Sequence, residues 1–263
     1  MADLPSITVV TPCLNAAGTI EEALDSVRSQ GYPRVEHLVI DGGSTDGTLA
    51  VLARRDDVRF VSEPDRGRVD AVNKGLEMAA GEVIGWLNAD DRYEPGSLEA
   101  VGREFAERPD AAWVTGYCRI IDREGREIRK GVTAYKNLFL RHFSYGLYLT
   151  QNFVSDPATF ARRGVLAEAG PLDPTYPTAH DYDLWLRVAR HGDPVVLRRY
   201  LSSFRMTEGT LSMEGFERQF AEHAHNAREH GEGHALAVIL NRLLSSGIVA
   251  AYRGLRLGRA LTR

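Results

Sequence analysis

Apolar and polar residues alternate in a regular rhythm over the first hundred positions of the chain. Four short apolar runs have the length of buried strands: residues 6–11, 35–41, 58–63 and 82–87. Between them, three stretches carry apolar residues at helical spacing: residues 19–30, 48–55 and 70–81. Thr19 and Glu22 at the start of the first stretch have the spacing of a capping box. Strand–helix alternation of this kind predicts parallel βαβ units with right-handed crossovers.

The rhythm changes after about residue 110. Residues 111–131 predict strands around a turn at Glu124-Gly125, and helical patterns return near 134–149, 180–191 and 214–230. We therefore expect an α/β fold with a Rossmann-like, mostly parallel central sheet flanked by helices. The sheet is expected to be mixed at one edge and to be followed by a C-terminal helical extension.

Composition narrows the class of protein. A chain of 263 residues suits one large α/β domain, or one domain with an appendage. The net charge of -4 gives no basic footprint for nucleic acid. Cys13 and Cys118 are too few for a disulfide framework, so we expect buried thiols in a reducing cytoplasm. The N-terminus has no signal-peptide pattern and no apolar run is long enough to span a membrane, which predicts a cytoplasmic protein.

Acidic residues follow three of the predicted strands. Asp41 ends the second, Glu63 and Asp65 follow the third, and Asp90 and Asp91 follow the fourth. Ligands of open parallel sheets bind at the carboxyl ends of the strands, so these carboxylates are expected to share one rim. Such a rim would repel an anion unless a cation neutralised it. The pattern predicts a divalent metal that bridges protein oxygens to a phosphate-containing ligand.

Local structure offers a second interpretation of the same acids. Asp90 or Asp91 could cap the helix predicted from residue 95, and Asp41 before two glycines could be turn chemistry alone. Recurrence at three strand ends favours the metal. The loop after the first strand lacks the G-x-G-x-x-G pattern, and no G-x-x-x-x-G-K-[ST] occurs in the chain, which argues against a dinucleotide fold and a P-loop.

Five segments together carry a family resemblance: VVTPCLN, VIDGGSTDGT, EPDRGRVDAVNKGLEMAAGEVIGWLNADD, PATFARR and HDYDLWLRVAR. In this order, over roughly residues 5 to 205, the chain resembles the family 2 glycosyltransferases. These are inverting enzymes with the GT-A fold, and the LNADD subgroup is typical of bacterial polysaccharide and glycolipid biosynthesis. The resemblance implies a nucleotide-sugar donor and a divalent metal, Mg²⁺ or Mn²⁺.

The resemblance also implies roles for individual residues. Asp41 would contact the nucleotide base, and residues 88–90 correspond to the D-x-D motif with Asn88 in its first position. Asp90 would then bind the metal, with Asp91 beside it as a helper or a cap. With Glu63 added from the third strand end, the expected nucleotide-sugar site comprises Pro12, Asn15, Asp41, Ser44, Asp46, Glu63, Asp70, Asn73, Lys74, Asn88 and Ala89.

The segment HDYDLWLRVAR supplies the candidate base. Leu184 and Trp185 belong to an apolar helical stripe, which predicts that Asp181 lies in an exposed first turn. The helix dipole favours an acid there and keeps it ionised. The resemblance places the catalytic base at Asp181. We expect His180 to be exposed at the helix start and Asp183 to be structural.

These features predict an inverting glycosyltransferase. It would move a sugar from a nucleotide-diphosphate sugar, UDP favoured, to a hydroxyl of a saccharide or a lipid-linked saccharide. One alternative is a nucleotide-sugar-binding protein that has lost catalysis, although Asp90 and Asp181 are both present. The other is a sugar-phosphate nucleotidyltransferase, although the segment TPCLNAAGT does not supply the Gly-rich, Arg-containing loop that this class needs.

The expected division is a catalytic domain over residues 1–210 and a helical extension over 211–263. Within the first, residues 1–115 would bind the nucleotide sugar and 116–210 the acceptor. Residues 235–263 contain no acid and five arginines: Arg242, Arg253, Arg256, Arg259 and Arg263. This segment could lie on anionic lipid at the inner face of the cytoplasmic membrane, or pack on the catalytic domain or on a dimer partner.

Four histidines cluster late in the chain, at His223, His225, His230 and His234. No zinc signature accompanies them, so we expect a solvated helix here and not a metal site.

Overall fold

The computed structural model describes the backbone of residues 3–206 and 215–261, and the side chains of these residues as far as residue 250. Within these ranges the strands form one sheet. The strands are β1 Ile7–Cys13, β2 Val35–Asp41, β3 Arg59–Ser62, β4 Val83–Trp86, β5 Arg92–Tyr93, β6 Trp113–Ile121, β7 Glu127–Ile128, β8 Thr159–Arg162 and β9 Val195–Arg205. The helices are α1 Ile20–Arg28, α2 Thr48–Leu52, α3 Arg68–Met78, α4 Ser97–Glu107, α5 Lys130–Arg141, α6 Tyr145–Thr150, α7 Arg163–Ala169, α8 His180–Val188, α9 Phe216–His230 and α10 Ala235–Leu261.

The sheet has the order β3-β2-β1-β4-β8-β6-β9-β5, with β7 paired to β6. Strands β3, β2, β1 and β4 are parallel to one another, which confirms the predicted βαβ units. Strand β8 is antiparallel to both β4 and β6, so mixed pairing begins at this strand. The expected α/β architecture with a mostly parallel sheet, flanking helices and C-terminal helices is confirmed.

Three tryptophans stack between the sheet and α8. The ring of Trp185 lies 5.0 Å from that of Trp86 in β4 and 5.6 Å from that of Trp113 in β6, with nearly parallel planes. All three rings are fully buried. Stacked aromatic rings of this size contribute strongly to a core, so the stack fixes α8 against β4 and β6.

The predicted capping box at the start of α1 is wrong. The Thr19 side chain makes no capping hydrogen bond in the structure. Glu22 instead pairs with two arginines, at 2.6 Å from Arg92 and 2.5 Å from Arg205. Charge-assisted bonds to distant arginines have displaced the local cap, because they are stronger than a bond between neutral groups.

Helices α9 and α10 pack on the body of the protein as far as their side chains are described. Asn226 donates to the Ala179 carbonyl at 3.1 Å, and Asn241 donates to the Leu149 carbonyl at 2.9 Å. Packing was one of the two expectations for this segment; contact with a membrane stays a prediction. The expected domain boundary at 210/211 lies outside the described residues, as do the side chains of Arg253, Arg256 and Arg259 and the whole of Arg263. No described helix is both long and apolar enough to cross a membrane.

Candidate active site

Asp41 shapes the loop after β2. Its carboxylate is fully buried and accepts hydrogen bonds from the Ser44 hydroxyl at 2.5 Å, the Ser62 hydroxyl at 2.6 Å and two backbone amides of the loop. Burial raises the pKa of this carboxyl, but the donors outweigh burial and hold the pKa below its usual range. Pro12 lies buried in the adjacent strand β1. The carboxylate thus ties β2 to β3, and its contact with a base stays a prediction.

The loops that follow β1 and β2 are joined side by side. Asn15, in a left-handed backbone conformation with φ of 51°, accepts a hydrogen bond from the Thr45 amide at 2.9 Å. The backbone amide of Asn15 donates to the Ser44 hydroxyl at 2.7 Å. Asp46 accepts from the Ala17 amide at 3.0 Å and from Thr48 at the start of α2. The structure therefore brings together the residues that sequence assigned to the first two strand ends.

Charged residues at the third strand end form a partly exposed cluster. Lys74 lies 2.8 Å from Glu63 and 3.7 Å from Asp70. Asn73 lies on the same helix but is used elsewhere: its side-chain amide donates to the Leu172 carbonyl at 2.9 Å and accepts from the Leu172 amide at 2.8 Å. The first three remain candidates for the donor side, whereas the Asn73 side chain is engaged in holding the loop at Leu172.

Asp91 is a buried structural carboxylate. It is 1% exposed, accepts from the Arg205 amide at 2.8 Å and accepts from the Asn88 side chain at 2.7 Å. Helix α4 begins at Ser97 after Gly96 and has no side-chain cap. The interpretation of Asp90 or Asp91 as the cap of this helix is therefore wrong. Asp91 instead fastens the turn after β4 to the end of β9.

Asp90 differs from Asp91 in being only half-buried. No other side chain of the described residues hydrogen-bonds or ion-pairs with its carboxylate. Burial raises its pKa, and its own backbone amide, Arg68 and Arg205 oppose the rise. The Asp90 charge in turn helps to raise the pKa of Asp91. Two adjacent carboxyls that resist joint ionisation form a place where a cation would be stabilised.

Protein side chains alone do not complete a metal site here. Over the described residues, no group of three or more His, Cys, Asp or Glu side chains is arranged to hold a metal. Any ion beside Asp90 would need further oxygens from a ligand, as is usual for Mg²⁺ at phosphate sites.

A cavity of about 890 Å³ opens beside Asn88. Helices α5, α8, α9 and α10 contribute to its walls. Its lining includes the polar residues Arg68, Lys136 and Asp181 and the apolar residues Phe216 and Phe220. A cleft with an apolar wall and a few convergent polar groups is the usual form of a ligand site.

Asp181 lies at the first turn of α8 and faces this cavity. It is half-buried, and His180 before it is only 4% exposed, so the expected exposed positions for both residues are wrong. Asn152 donates to the Asp181 carboxylate at 3.1 Å. Burial raises the pKa of Asp181, but His180 and His223, which are protonated at low pH, and the Tyr182 amide outweigh burial and hold the pKa below its usual range. The carboxylate is therefore ionised at neutral pH.

Sequence reasoning missed Asp156, which lies in a 3₁₀ turn before β8. Its carboxylate accepts from the Trp185 indole at 2.7 Å and lies 3.4 Å from Arg68. Burial and the Asp181 charge raise its pKa to about 7. The available signal was an acid directly before the segment PATFARR, but its burial depends on contacts with residues far away in sequence.

The late histidines do not form a solvated face, which corrects the expectation for this helix. His223 is 7% exposed, and His230 lies 2.8 Å from Asp183, which also pairs with Arg187 at 2.7 Å. His225 is exposed. Asp183 is structural, as expected.

Of the parallel strands β1 to β4, the last three carry carboxylates at their carboxyl ends, and Asp181 faces a cavity that also reaches Asn88, as expected from the resemblance to glycosyltransferases of the GT-A fold. The family model described as Glycosyl transferase family 2 matches residues 8–169. This is more than half of the chain, so the chain belongs to glycosyl transferase family 2. The match ends before α8, so Asp181 lies outside it.

Curated relatives include an uncharacterised glycosyltransferase of Mycobacterium tuberculosis, 31% identical over 213 residues that cover 79% of this chain and 78% of the relative. The putative teichuronic acid biosynthesis glycosyltransferase TuaG of Bacillus subtilis is 26% identical, over 79% of this chain and 82% of the relative. Both relatives carry the name glycosyltransferase, in agreement with the family match.

Solved structures share the fold. The mannosyltransferase PcManGT from Pyrobaculum calidifontis, in complex with GDP-Man and Mn²⁺, has a TM-score of 0.69 and 21% identity, covering 98% of this chain and 81% of that one. S. aureus TarS 1–349 in complex with UDP-GlcNAc has a TM-score of 0.64 and 19% identity, covering 84% of this chain. This chain spans 66% of that TarS fragment and 39% of the longer TarS chain.

Proposed function

We propose that this protein transfers a sugar from a nucleotide-diphosphate sugar to a saccharide hydroxyl with inversion, and that Asp181 is the general base. The observation that carries the proposal is the Asp181 carboxylate, ionised and held by Asn152, facing a cavity that also reaches Asn88 of the LNADD segment. A base in this position has room for an acceptor beside it. Family membership supports the reaction class.

The chemistry assigned to Asp181 is a single displacement. The acceptor oxygen forms a bond to the anomeric carbon as the bond from that carbon to the diphosphate oxygen breaks, and Asp181 takes the hydroxyl proton. A carboxylate with a lowered pKa is ready to accept a proton at neutral pH, and its fixed position supplies orientation. Asn152 orients Asp181 by donating to one of its oxygens.

The donor set at residues 88–91 fits a hard divalent cation. Asp90 offers a carboxylate with no other side-chain partner among the described residues, and the oxygens of the diphosphate would supply the remaining ligands. When bound, Mg²⁺ or Mn²⁺ neutralises charge on the leaving diphosphate. Both oxygens of Asp91 are already engaged, so its role is to support the turn that carries Asp90.

UDP is the nucleotide we favour, with GDP as the second candidate. TarS was solved with UDP-GlcNAc and with UDP, which supports the first. PcManGT was solved with GDP-Man, which supports the second. The loops at Asn15, Asp41 and Asp46 would bind the nucleoside, and the cluster of Glu63 and Lys74 lies beside them at the next strand end.

The acceptor we propose is a lipid-linked saccharide at the inner face of the cytoplasmic membrane. The name of TuaG, which refers to teichuronic acid biosynthesis, supports a saccharide of the bacterial surface. Arg242 and the arginines after residue 250 give α10 a basic character. The described part of α10 exposes large apolar side chains at helical spacing: Leu236, Ile239, Leu240, Leu243 and Leu244. This leucine stripe fits a helix lying on anionic lipid.

The test is binding and turnover of UDP-, GDP- and dTDP-sugars with and without Mn²⁺. One donor is expected to bind with metal, and D90A is expected to lose most of the metal-dependent affinity, by about 1.5–3 kcal/mol for a charged partner. D110A is the matched control, since Asp110 is an exposed aspartate away from the site.

Three outcomes would contradict the proposal. If no nucleotide sugar binds with or without Mn²⁺, the donor assignment fails. If a donor binds but is neither hydrolysed nor transferred to any saccharide, the protein is a binding protein. If the protein forms a nucleotide sugar from a sugar phosphate and a nucleoside triphosphate, it is a nucleotidyltransferase.

A further inference from the structure

Two buried histidines in the cavity wall have ring nitrogens with no hydrogen-bond partner. His180 is 4% exposed, and within the described part of the chain neither of its ring nitrogens makes a hydrogen bond of ordinary geometry. The backbone at Tyr176 and Pro177 lies near this ring and opposes the fall of its pKa. His223 is 7% exposed, and its Nε2 is likewise unpaired among the described residues. Both residues line the 890 Å³ cavity. Buried polar atoms are nearly always hydrogen-bonded, so unpaired ones in a cavity wall indicate groups that a ligand satisfies.

The two histidines flank Asp181 from different elements. His180 directly precedes Asp181 in α8. His223 comes from α9, and its ring packs against the ring of Tyr182, the residue after Asp181, with 5.0 Å between ring centroids. Phe220 holds the same imidazole from its own helix, at 5.5 Å. The aromatic contacts hold the His223 ring in place, and its Nε2 has no hydrogen-bond partner among the described residues.

Charge in this part of the cavity narrows the ligand chemistry. Burial lowers the pKa of both histidines to about 4, so both rings are neutral at pH 7. A neutral imidazole presents one donor and one acceptor nitrogen. That pair matches a hydroxyl group, which can also donate and accept, better than it matches an anion.

We propose that His180 and His223 form an acceptor subsite that binds saccharide hydroxyls next to the one deprotonated by Asp181. This inference rests on the proposed function and deepens it, because it assigns recognition of a polyhydroxylated acceptor to named residues. His223 lies in α9, outside the residues matched by the family model. The C-terminal helices therefore take part in selecting the acceptor.

The test separates acceptor recognition from donor turnover. Wild type and variants would be assayed for donor hydrolysis in water and for transfer to a panel of p-nitrophenyl hexosides, with the best hexoside of the wild type as the probe. H223F keeps the aromatic packing but removes the ring nitrogens. It is expected to raise KM for the hexoside about tenfold, the effect of one lost hydrogen bond, and to shift the donor KM less.

Conservative variants sharpen the result. The amide of H223Q reaches the position of Nε2, whereas that of H223N reaches only the position of Nδ1, so Gln is expected to rescue the hexoside KM better than Asn. H180F is expected to raise the hexoside KM in the same direction as H223F. H225Q, on the exposed side of the same helix, is the control and is expected to match the wild type.

The possible outcomes distinguish failure of the proposed glycosyl transfer from failure of the histidine subsite. If the wild type neither hydrolyses nor transfers any donor, the proposed function fails. If it turns over donor but transfers to no hexoside, or if H223F leaves the hexoside KM unchanged, the subsite fails and the proposed function stands. Should H223F not fold, as judged by its thermal unfolding, equal KM values for H223Q and H223N would overturn the subsite.

Discussion

Three aspartates at strand ends, Asp41, Asp90 and Asp91, differ in the hydrogen bonds that their neighbours donate to them. Asp41 accepts hydrogen bonds from hydroxyls and amides of its own loop, and Asp91 accepts from Asn88 and the Arg205 amide. Their acceptor capacity is used within the protein. Asp90 has no comparable side-chain partner among the described residues. Of these three carboxylates, Asp90 is therefore the one with oxygens available to bind a metal.

Asp156 is expected to make the free energy of unfolding depend on pH. Its pKa is about 7 in the folded protein and near 4 in the unfolded chain, so between these values only the folded state holds the proton. The free energy of unfolding should then fall as pH rises from about 4 to about 7. D156N keeps the acceptor for Trp185 but removes the titration.

Chemical denaturation of wild type and D156N at about pH 4.5 and about pH 7 would measure this effect. The wild type should lose stability relative to D156N between the two, because the other titrating groups are common to both proteins. A difference in stability that is the same at both pH values would show that Asp156 has no raised pKa.

The sequence nominated candidate site residues where a motif carried them, and it misjudged the burial of their neighbours. Asp181 and Asp90 follow from short segments with a recognisable order. The burial of His180 and His223 does not, because each is covered by helices from elsewhere in the chain. Asp156 was missed for the same reason, since Trp185 and Arg68 reach it only in the folded protein.

At the scale of elements, α3 depends on close approach to the sheet. A Cβ on Gly75 would lie 2.2 Å from a methyl of Val10 and 3.3 Å from Ile40, so any larger residue forces the helix away from β1 and β2. Arg68 and Asp70 lie on this helix and would shift with it.

G75A is therefore expected to destabilise the protein by about 1–3 kcal/mol, the usual cost of overpacking. Gly164 is the matched control: it lies in helix α7, and a Cβ there would meet nothing within 4 Å. Urea unfolding of both variants measures the difference. A G75A protein as stable as G164A would contradict the packing described for α3.

Local periodicity predicted the strands and helices of the first half well, because alternating βαβ units need only short-range patterns. It gave β2 its bounds and placed β1, β3 and β4 within two residues at each end. The insertion of β8 between β4 and β6 was not predicted, since pairing across many residues depends on register and packing. The capping box failed because Glu22 found stronger partners in Arg92 and Arg205.

At the scale of the molecule, the cavity is lined both by residues inside the family match and by residues beyond it. The match over residues 8–169 includes β8 and α5 but not β9, and α8, α9 and α10 beyond it line the cavity together with Asp181. The residues proposed for the donor thus lie mainly in the matched region. The proposed acceptor subsite residues His180 and His223 and the leucine stripe of α10 lie in the later part.

From the leucine stripe of α10 we predict that the protein binds to anionic membranes. Vesicles that contain phosphatidylglycerol should sediment the protein, and the double variant L236E/L243E should bind at least about tenfold more weakly, since two exposed leucines would no longer enter the lipid. F60E, at an exposed position on β3, is the control. Sedimentation that is unchanged in L236E/L243E would show that α10 does not lie on lipid.

One comparison tests the role of Asp181 as the base: donor affinity and the rate of transfer in D181N against the wild type. Asparagine keeps the size of the side chain but cannot take a proton. We expect donor affinity within a few-fold of the wild type and a transfer rate lower by about 10²–10⁴. A D181N enzyme that transfers sugar at the wild-type rate would show that another group removes the proton.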